Sequence, residues 1–196
     1  MYTLYGTTRS RAFRVMWTLE ELGQPYEMVE AAPRSPEILA VNPSGKVPAL
    51  DVDGTILTDS VAIMSYLADK HGGLTLPAGT VERAHQDALL HRLNDEFDSV
   101  LWMATRHMRI LPEDRRVPEV VETFKWEFAN GAARLSQDFV GPFLQGEEIT
   151  IADILAVHCM GWAHGIEFGG MDDTLRDYSK MMRARPAFRA AGAKLG

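Results

Sequence analysis

The run Asn42-Pro43-Ser44-Gly45-Lys46-Val47-Pro48-Ala49-Leu50, followed closely by Thr58-Asp59-Ser60, constrains this chain more than any other stretch. Asn42 to Gly45 is turn chemistry: proline presets φ, Asn and Ser bond locally, and Gly takes the conformation other residues avoid. Val47-Pro48 then leads into an apolar strand of Ala49, Leu50 and Val52. Proline cannot donate to a sheet ladder, so at a strand entrance it marks an edge or a special turn, and a cis Val47–Pro48 bond suits such a turn. The N–H and C=O of Val47 would then point outward, ready to pair with an extended peptide as a short strand does. The competing reading is a polar loop that merely enters a strand.

A second element shifts that balance. Asp53-Gly54 is a hairpin signal between residues 49–52 and 55–57, and Asp59-Ser60 opens an amphipathic helix carrying Val61, Ile63, Met64, Tyr66 and Leu67. Unpaired N–H groups and the positive end of the helix dipole meet at that start, which makes it a carboxylate site. A loop that pairs with peptide backbone beside a helix start that holds a carboxylate describes a receptor for a small acidic peptide.

Around this centre the chain reads in two parts. Tyr2, Thr3, Leu4 and Tyr5 form a first strand stopped by Gly6 and the polar run Thr7-Thr8-Arg9-Ser10. A helix follows with Ala12, Val15, Leu19 and Leu22 at three- and four-residue spacing, ended by Gly23. Pro25 to Val29 reads as a second strand parallel to the first, and residues 37–41 as a short helix. His71-Gly72-Gly73 closes the first part, and Pro77-Ala78-Gly79 reads as a linker. Beyond it Leu89, Leu93, Phe97, Val100, Ala104, Met108 and Leu111 make one helical stripe, and Val117, Val121, Phe124, Phe128, Ala132, Leu135 and Phe139 a second. These helices are expected to pack antiparallel as the spine of an all-α domain. Thr150 and Asp153 have the spacing of an acidic capping box, with Ile149 and Ile154 placed as a hydrophobic staple, a folding device rather than a catalytic one.

Composition excludes several classes. A net charge of −7 with no Lys/Arg cluster argues against nucleic acid as a partner. No apolar run approaches the ~20 residues of a membrane span, so no membrane partner is expected, and the N-terminus shows no secretory pattern. The single cysteine, Cys159, rules out an intramolecular disulfide, a Cys-x-x-Cys pair and a thiolate zinc site, consistent with a cytoplasmic setting. The six histidines form no metal-binding spacing, and no metal is expected.

The run from Asn42 to Leu50, the hairpin and Asp59-Ser60 resemble the glutathione site of the cytosolic glutathione S-transferases, of bacterial type and unassigned class. Leu4-Tyr5-Gly6, Leu19-Glu20-Glu21-Leu22-Gly23 and Ile149-Thr150-Ile151-Ala152-Asp153 resemble that family too, so the likeness spans nearly the whole chain. It implies an α+β two-domain fold: a thioredoxin-like N-terminal domain over residues 1–75, followed by an all-α helical-bundle C-terminal domain over residues 80–196. It implies glutathione as co-substrate, a small hydrophobic electrophile as partner and a homodimer. It also implies a detoxifying transferase in which bound glutathione thiolate attacks that electrophile.

Residue by residue, the resemblance gives Val47 backbone pairing with the cysteinyl residue and Pro48 the bend. Asp59 and Ser60 take the γ-glutamyl end. Lys46 reads as a partner for the glycyl carboxylate or as a solvated turn lysine, and Arg9 as a partner for the thiolate or an acidic co-substrate or as an exposed arginine with neither role. Glutathione binding and activation also need a donor to the sulfur. The first loop offers Ser10, expected at the N-cap of the first helix, then Thr8 and Thr7, and Tyr5 in looser register. Ser10 as a plain N-cap is an equal alternative. The electrophile pocket is expected at Trp102 and Arg106, four residues apart on one helix face, with packing or the subunit contact as an equal alternative for either. Two alternatives stand beside the transferase. One is a glutathione-dependent isomerase or disulfide reductase on the same scaffold, although Thr8-Arg9-Ser10-Arg11 departs from the Ser-Ser-Cys-like loop of the isomerase relatives. The other is a non-catalytic glutathione-binding regulatory protein.

Overall fold

Alternation along the first strand decides the layering of the N-terminal part. In the computed structural model, which describes residues 1–194, β1 (Tyr2–Gly6) buries Tyr2, Leu4 and Gly6 and leaves Thr3 and Tyr5 half-buried. One face thus meets the main core, while Tyr5 joins a second cluster with Ala31, Ile38, Ala49, Val41, Val47 and Ile56. β1 pairs parallel with β2 (Tyr26–Glu30) and antiparallel with β3 (Ala49–Val52), and β3 pairs antiparallel with β4 (Thr55–Thr58), giving the order β2-β1-β3-β4. The parallel pair needs a crossover, and α1 (Ala12–Glu21) supplies it. The short α2 (Pro36–Val41) and then α3 (Ser60–His71) complete the β-α-β-α-β-β-α order of a thioredoxin-like fold.

α1 is buried over every residue from Ala12 to Leu19, because it packs against β1, α3 and a helix from the far end of the chain. That helix, α9 (Pro186–Ala193), sets Phe188 edge-on to Trp17 at 4.9 Å and to Phe13 at 5.1 Å. Arg185 closes the contact with two bonds to the Glu21 carboxylate, 2.6 and 2.8 Å, and Trp17 Nε1 donates to the same carboxylate at 2.9 Å. The chain accordingly divides into one compact unit formed by Met1–Ala78 with the segment beginning at Arg183, and a second formed by Gly79–Met182. The expected 80–196 domain therefore differs at its end: residues from Arg183 cluster with the first unit. The cause is a set of long-range aromatic and ionic contacts that no local pattern displays.

The second unit is all-helical. α4 (Val81–Leu93), a π-helical segment (Asn94–Ser99), α5 (Val100–Thr105) and another π segment (Arg106–Ile110) run on without a break, so the first stripe is one long helix with two π bulges. α6 (Val120–Gln137) carries the second stripe, and Phe97 meets Phe128 edge-to-face at 5.3 Å. α7 (Ile151–Gly165) is the most deeply buried helix of this unit, Cys159 included, and α8 (Asp173–Arg183) follows it.

The start of α7 confirms the capping expectation and extends it. Asp153 Oδ2 accepts from Thr150 N at 2.7 Å and from the Thr150 hydroxyl at 3.1 Å, while Ala152 N donates to Thr150 Oγ1. Asp153 Oδ1 accepts from Leu144 N at 2.9 Å and from the Tyr178 hydroxyl of α8 at 2.6 Å. Burial pushes the Asp153 carboxyl up, against the pull of these four donors; it pushes the Tyr178 phenol up too, with the Asp153 charge adding to the effect. Thr150→Ala is expected to cost about 1 kcal/mol. Asp153→Asn, which cannot accept from four donors at once, should cost about 2–3 kcal/mol. Urea melts of both variants check the order, and an Asn variant as stable as wild type would show the network carries nothing.

Candidate functional site

Val47 is the residue around which the polar groups of the first unit are arranged. The Val47–Pro48 bond is cis, as the sequence suggested. Among the described residues, neither the N–H nor the C=O of Val47 has a hydrogen-bond partner, although the residue is only half-exposed. The turn before it is paired. Asn42, 8% exposed, donates Nδ2 to the carbonyl of Lys46 at 2.8 Å and accepts on Oδ1 from the N–H and hydroxyl of Ser44. Lys46 N donates to Ser44 Oγ, and Gly45 N to the Asn42 carbonyl. One carboxamide thus ties both ends of the turn that presents Val47.

Gly45 is required by two features at once. It sits at φ 66°, and a Cβ there would lie 3.1 Å from Arg34 Cγ and 3.3 Å from Arg34 Cα. The close approach is held by Arg34 N donating to the Gly45 carbonyl at 2.8 Å.

The α3 start is built differently. Asp59 is the N-cap at φ 69°, an uncommon conformation for a non-glycine residue, and its Oδ1 accepts from Val61 N at 2.9 Å and Ala62 N at 3.1 Å. Capping consumes two of the orphan donors of the first turn. The N–H of Ser60 remains without a partner among the described residues, beside its own hydroxyl, which accepts from Arg14 Nη1 at 3.2 Å. An open N–H, an open O–H proton and the positive end of a twelve-residue helix therefore meet at Ser60. Asp59 Oδ2 adds an acceptor for an ammonium group.

The loop between β1 and α1 places the candidate hydroxyls. Gly6 lies at φ 154°, and a Cβ on it would stand 2.3 Å from Ala12 Cβ, so the strand end and helix start touch. Ser10 is one residue ahead of the N-cap position, which Arg11 occupies with no capping bond from its side chain. The Ser10 hydroxyl donates to the Thr7 carbonyl at 2.8 Å and accepts from Thr7 N and Ala12 N. Its one proton is thus already donated within the loop, which differs from the expectation of a donor to sulfur. Thr7 and Thr8 are half-buried, with hydroxyls that have no partner among the described residues. Tyr5 packs beside Val47 in the cluster around Ile38.

Of the other expected residues, Arg9 and Lys46 are exposed cations of the first unit. Trp102 and Arg106 belong to the second unit, where Trp102 is 36% exposed and Arg106 Nη1 donates to Met103 Sδ at 3.5 Å. Sequence reasoning missed Asn42 as the brace of the loop and Arg14 as the partner of Ser60. Asn42 was visible only as a turn former, and Arg14 only as a charge inside an apolar helix. Among the described residues no group of His, Cys, Asp and Glu is arranged to hold a metal ion, and no helix is long and apolar enough to cross a membrane.

Comparison with known proteins bears on what such an arrangement binds. Residues 4–75 match the family description "Glutathione S-transferase, N-terminal domain". The chain is 34% identical over 165 residues to a maleylacetoacetate isomerase of Rhizobium meliloti (strain 1021), covering 79% of this chain and 78% of that protein. It is 32% identical over 162 residues to a zeta class glutathione S-transferase of Euphorbia esula, covering 77% and 71%. A crystal structure of a glutathione transferase from Methylococcus capsulatus str. Bath superposes with a TM-score of 0.81 at 25% identity, covering 97% of both chains.

The Asn42 brace generates a testable consequence. Asn42→Ala removes three side-chain bonds and should lose about 1–3 kcal/mol of stability. Because it frees the Val47 turn, the ligand of this site should bind more weakly than the stability loss alone explains under conditions where the variant remains folded. Urea melts and glutathione calorimetry on the same preparation check both; full affinity would show that Val47 needs no brace.

Proposed function

The chain belongs to the glutathione S-transferase family and is a glutathione-dependent enzyme, and we propose that it transfers the thiolate of bound glutathione to a small hydrophobic electrophile. The observation that carries this reading is the pattern of open groups. Val47 N–H and C=O, Ser60 N–H and the Ser60 proton have no partner among the described residues, whereas the surrounding turn and cap are paired. In this reading the cysteinyl backbone pairs with Val47 on both sides, and the γ-glutamyl carboxylate takes the Ser60 donors. The γ-glutamyl ammonium meets Asp59, and Lys46 meets the glycyl carboxylate.

A free thiol titrates near ~8.5, and each unit of depression requires about 1.4 kcal/mol of preference for the thiolate. The donors available for that are the hydroxyls of Thr7 and Thr8, with the exposed Arg9 guanidinium adding charge. Thr8 is our choice for the sulfur, and Ser10 is its brace, keeping the loop in place through Thr7 and Ala12. Trp102 and Arg106 are the candidates for the electrophile, suited to a planar, partly anionic molecule.

The relatives favour a second reading on the same residues. Proteins at 34% and 32% identity are a maleylacetoacetate isomerase and a zeta class transferase. Isomerisation would start from the same thiolate: it adds to a carbon of a conjugated double bond, the resulting single bond rotates, and the thiolate leaves as the double bond re-forms. The electron pair and the glutathione return unchanged, so activation of the thiol is common to both reactions. We further propose a cytoplasmic homodimer with a detoxifying role. The exposed Met108, Ile110, Val117 and Trp126 of the second unit support a subunit contact.

The thiol decides the matter. Ultraviolet titration of the complex should find bound glutathione ionising at least about one unit below its free value. Thr8→Ala should return the midpoint upward, whereas Ser10→Ala should mainly lower stability. A wild-type complex with an undepressed thiol would replace the enzyme mechanism with simple binding. Ser60→Ala should weaken glutathione by about 1–3 kcal/mol by calorimetry, and unchanged affinity would move the γ-glutamyl end elsewhere.

A further inference from the structure

The connection from the long helix of the second unit to α6 is fastened by side chains. The second π segment ends where Leu111 N donates to the Arg106 carbonyl at 2.9 Å. One 3-10 turn (Glu113–Arg115) follows, in which Arg115 N and Arg116 N donate to the carbonyls of Pro112 and Glu113. Two side chains tie this strap to the helix end. Arg116 Nε donates to the Leu111 carbonyl at 2.8 Å, and its Nη2 donates to the Arg109 carbonyl at 3.1 Å. His107 Nδ1 accepts from Val117 N at 3.1 Å, across ten positions of sequence.

Acid acts on only one of these ties. A guanidinium stays protonated at every working pH, so the Arg116 bonds persist. An imidazole accepts on Nδ1 only while that nitrogen carries no proton, which leaves the ring neutral with its proton on Nε2. Protonation makes both ring nitrogens donors, and the Val117 N–H then faces another donor. Val117 N has no other acceptor among the described residues, and Pro118 after it has no N–H to take its place.

The surroundings confine the effect. His107, Met108, Glu113, Arg116, Pro118 and Val121 line a cavity of about 370 Å³. Glu113 and Arg116 of the strap are the charged groups that share it with the ring, and α6 brings only the uncharged Val121. On the ring's own segment Arg106 is turned to Met103 Sδ, and Arg109 is exposed. Asp114 and Arg115 pair with each other at 3.4 Å on the open side of the strap. Beyond the Val117 bond, Val120 N and Val121 N already donate to the carbonyls of Val117 and Pro118, at 3.3 and 3.0 Å. The first turn of α6 therefore keeps its own bonds when the imidazole lets go.

We propose that His107 is a pH-sensitive latch on this strap: the neutral ring holds Val117 to the helix end, and the protonated ring releases it. The part that moves is the hinge at Val117-Pro118, between the Arg116 tie and α6. Release bares the apolar wall of the cavity, formed by Met108, Pro118 and Val121. The latch lies wholly in the second unit and does not depend on the roles proposed for Val47 and Ser60.

NMR on the folded chain reads both partners of the bond. The His107 ring carbons report protonation. Solvent exchange of the Val117 amide, expressed as protection relative to an unstructured chain at the same pH, reports the bond. Across the His107 transition Val117 should lose about five- to tenfold in protection, the scale of one hydrogen bond. The amides of Leu111 and Val121, which donate to backbone carbonyls, should keep theirs. His107→Asn offers Oδ1 in place of Nδ1 and gains no proton, so Val117 should stay protected throughout; His107→Ala should leave it unprotected throughout. A Val117 amide indifferent to His107 protonation overturns the proposal. So does a loss that survives in His107→Asn, because another group would then be titrating. Simultaneous loss at Leu111 and Val121 would be acid unfolding and overturns it too. Met108 and Val117 also belong to the exposed set proposed for a subunit contact, so the titration is repeated at a lower protein concentration. A release that follows concentration instead of the ring overturns the latch. Should neither variant fold, the wild-type curves decide: one shared midpoint for ring and amide supports the latch, and separate midpoints overturn it.

Discussion

The Asn42 carboxamide is the contact that holds the turn leading to Val47. A peptide-binding loop has contradictory requirements: its own N–H and C=O must stay open to the ligand, yet an unpaired backbone is costly and mobile. Asn42 resolves this by bonding two residues of the turn that leads into the opening, Ser44 and then Lys46, just ahead of Val47. The carboxamide suits the task because it donates and accepts at once, which neither an aspartate nor a leucine of the same size does. Gly45 completes it by letting the turn approach Arg34 to within van der Waals contact.

What could be read from the sequence was what is local. The turn, the Val47-Pro48 entrance, the Asp53-Gly54 hairpin and the Thr150/Asp153 cap each occupy a few consecutive residues, and each has the expected form. The contacts that escaped join distant positions: Arg185 with Glu21, Tyr178 with Asp153, and Arg14 with Ser60. The residues from Arg183 onward group with the first unit for this reason, because α9 is an ordinary short helix until Phe188 meets Trp17. Arg14 carried a weak signal, a charge on a helix whose neighbours are all apolar. Such a residue needs a partner, and the pattern cannot say which.

Ser10 shows how a correct residue type can carry a different duty. Read as an N-cap, it was a natural donor to the sulfur. In the structure it lies one position too early, and its hydroxyl closes a ring through Thr7 and Ala12. A serine has one proton, so a donation to Thr7 forecloses a donation elsewhere without a rearrangement of the loop. The tight Gly6–Ala12 approach makes that rearrangement harder, since strand end and helix start already touch. The Ser10 proton is thus held within the loop, while the hydroxyls of Thr7 and Thr8 have no partner among the described residues.

Electrostatics ties these local devices together. The chain carries a net charge of −7, and its ligand brings carboxylates and a thiol that must ionise. A diffuse negative surface opposes such a ligand, but charges farther away than ~8–10 Å are largely screened at physiological salt. Within the site the balance is different: a unit charge pair about 4 Å apart is worth about 4 kcal/mol at the effective dielectric near a protein surface, and about 1 kcal/mol in bulk water. A few local cations and oriented donors thus outweigh the whole remote excess. Lys46 and Arg9 are exposed cations of the first unit, and the α3 start carries the partial positive charge of a helix N-terminus. Burial leaves the Arg14 guanidinium, which donates to Ser60 Oγ, less screened by solvent than either of those exposed cations.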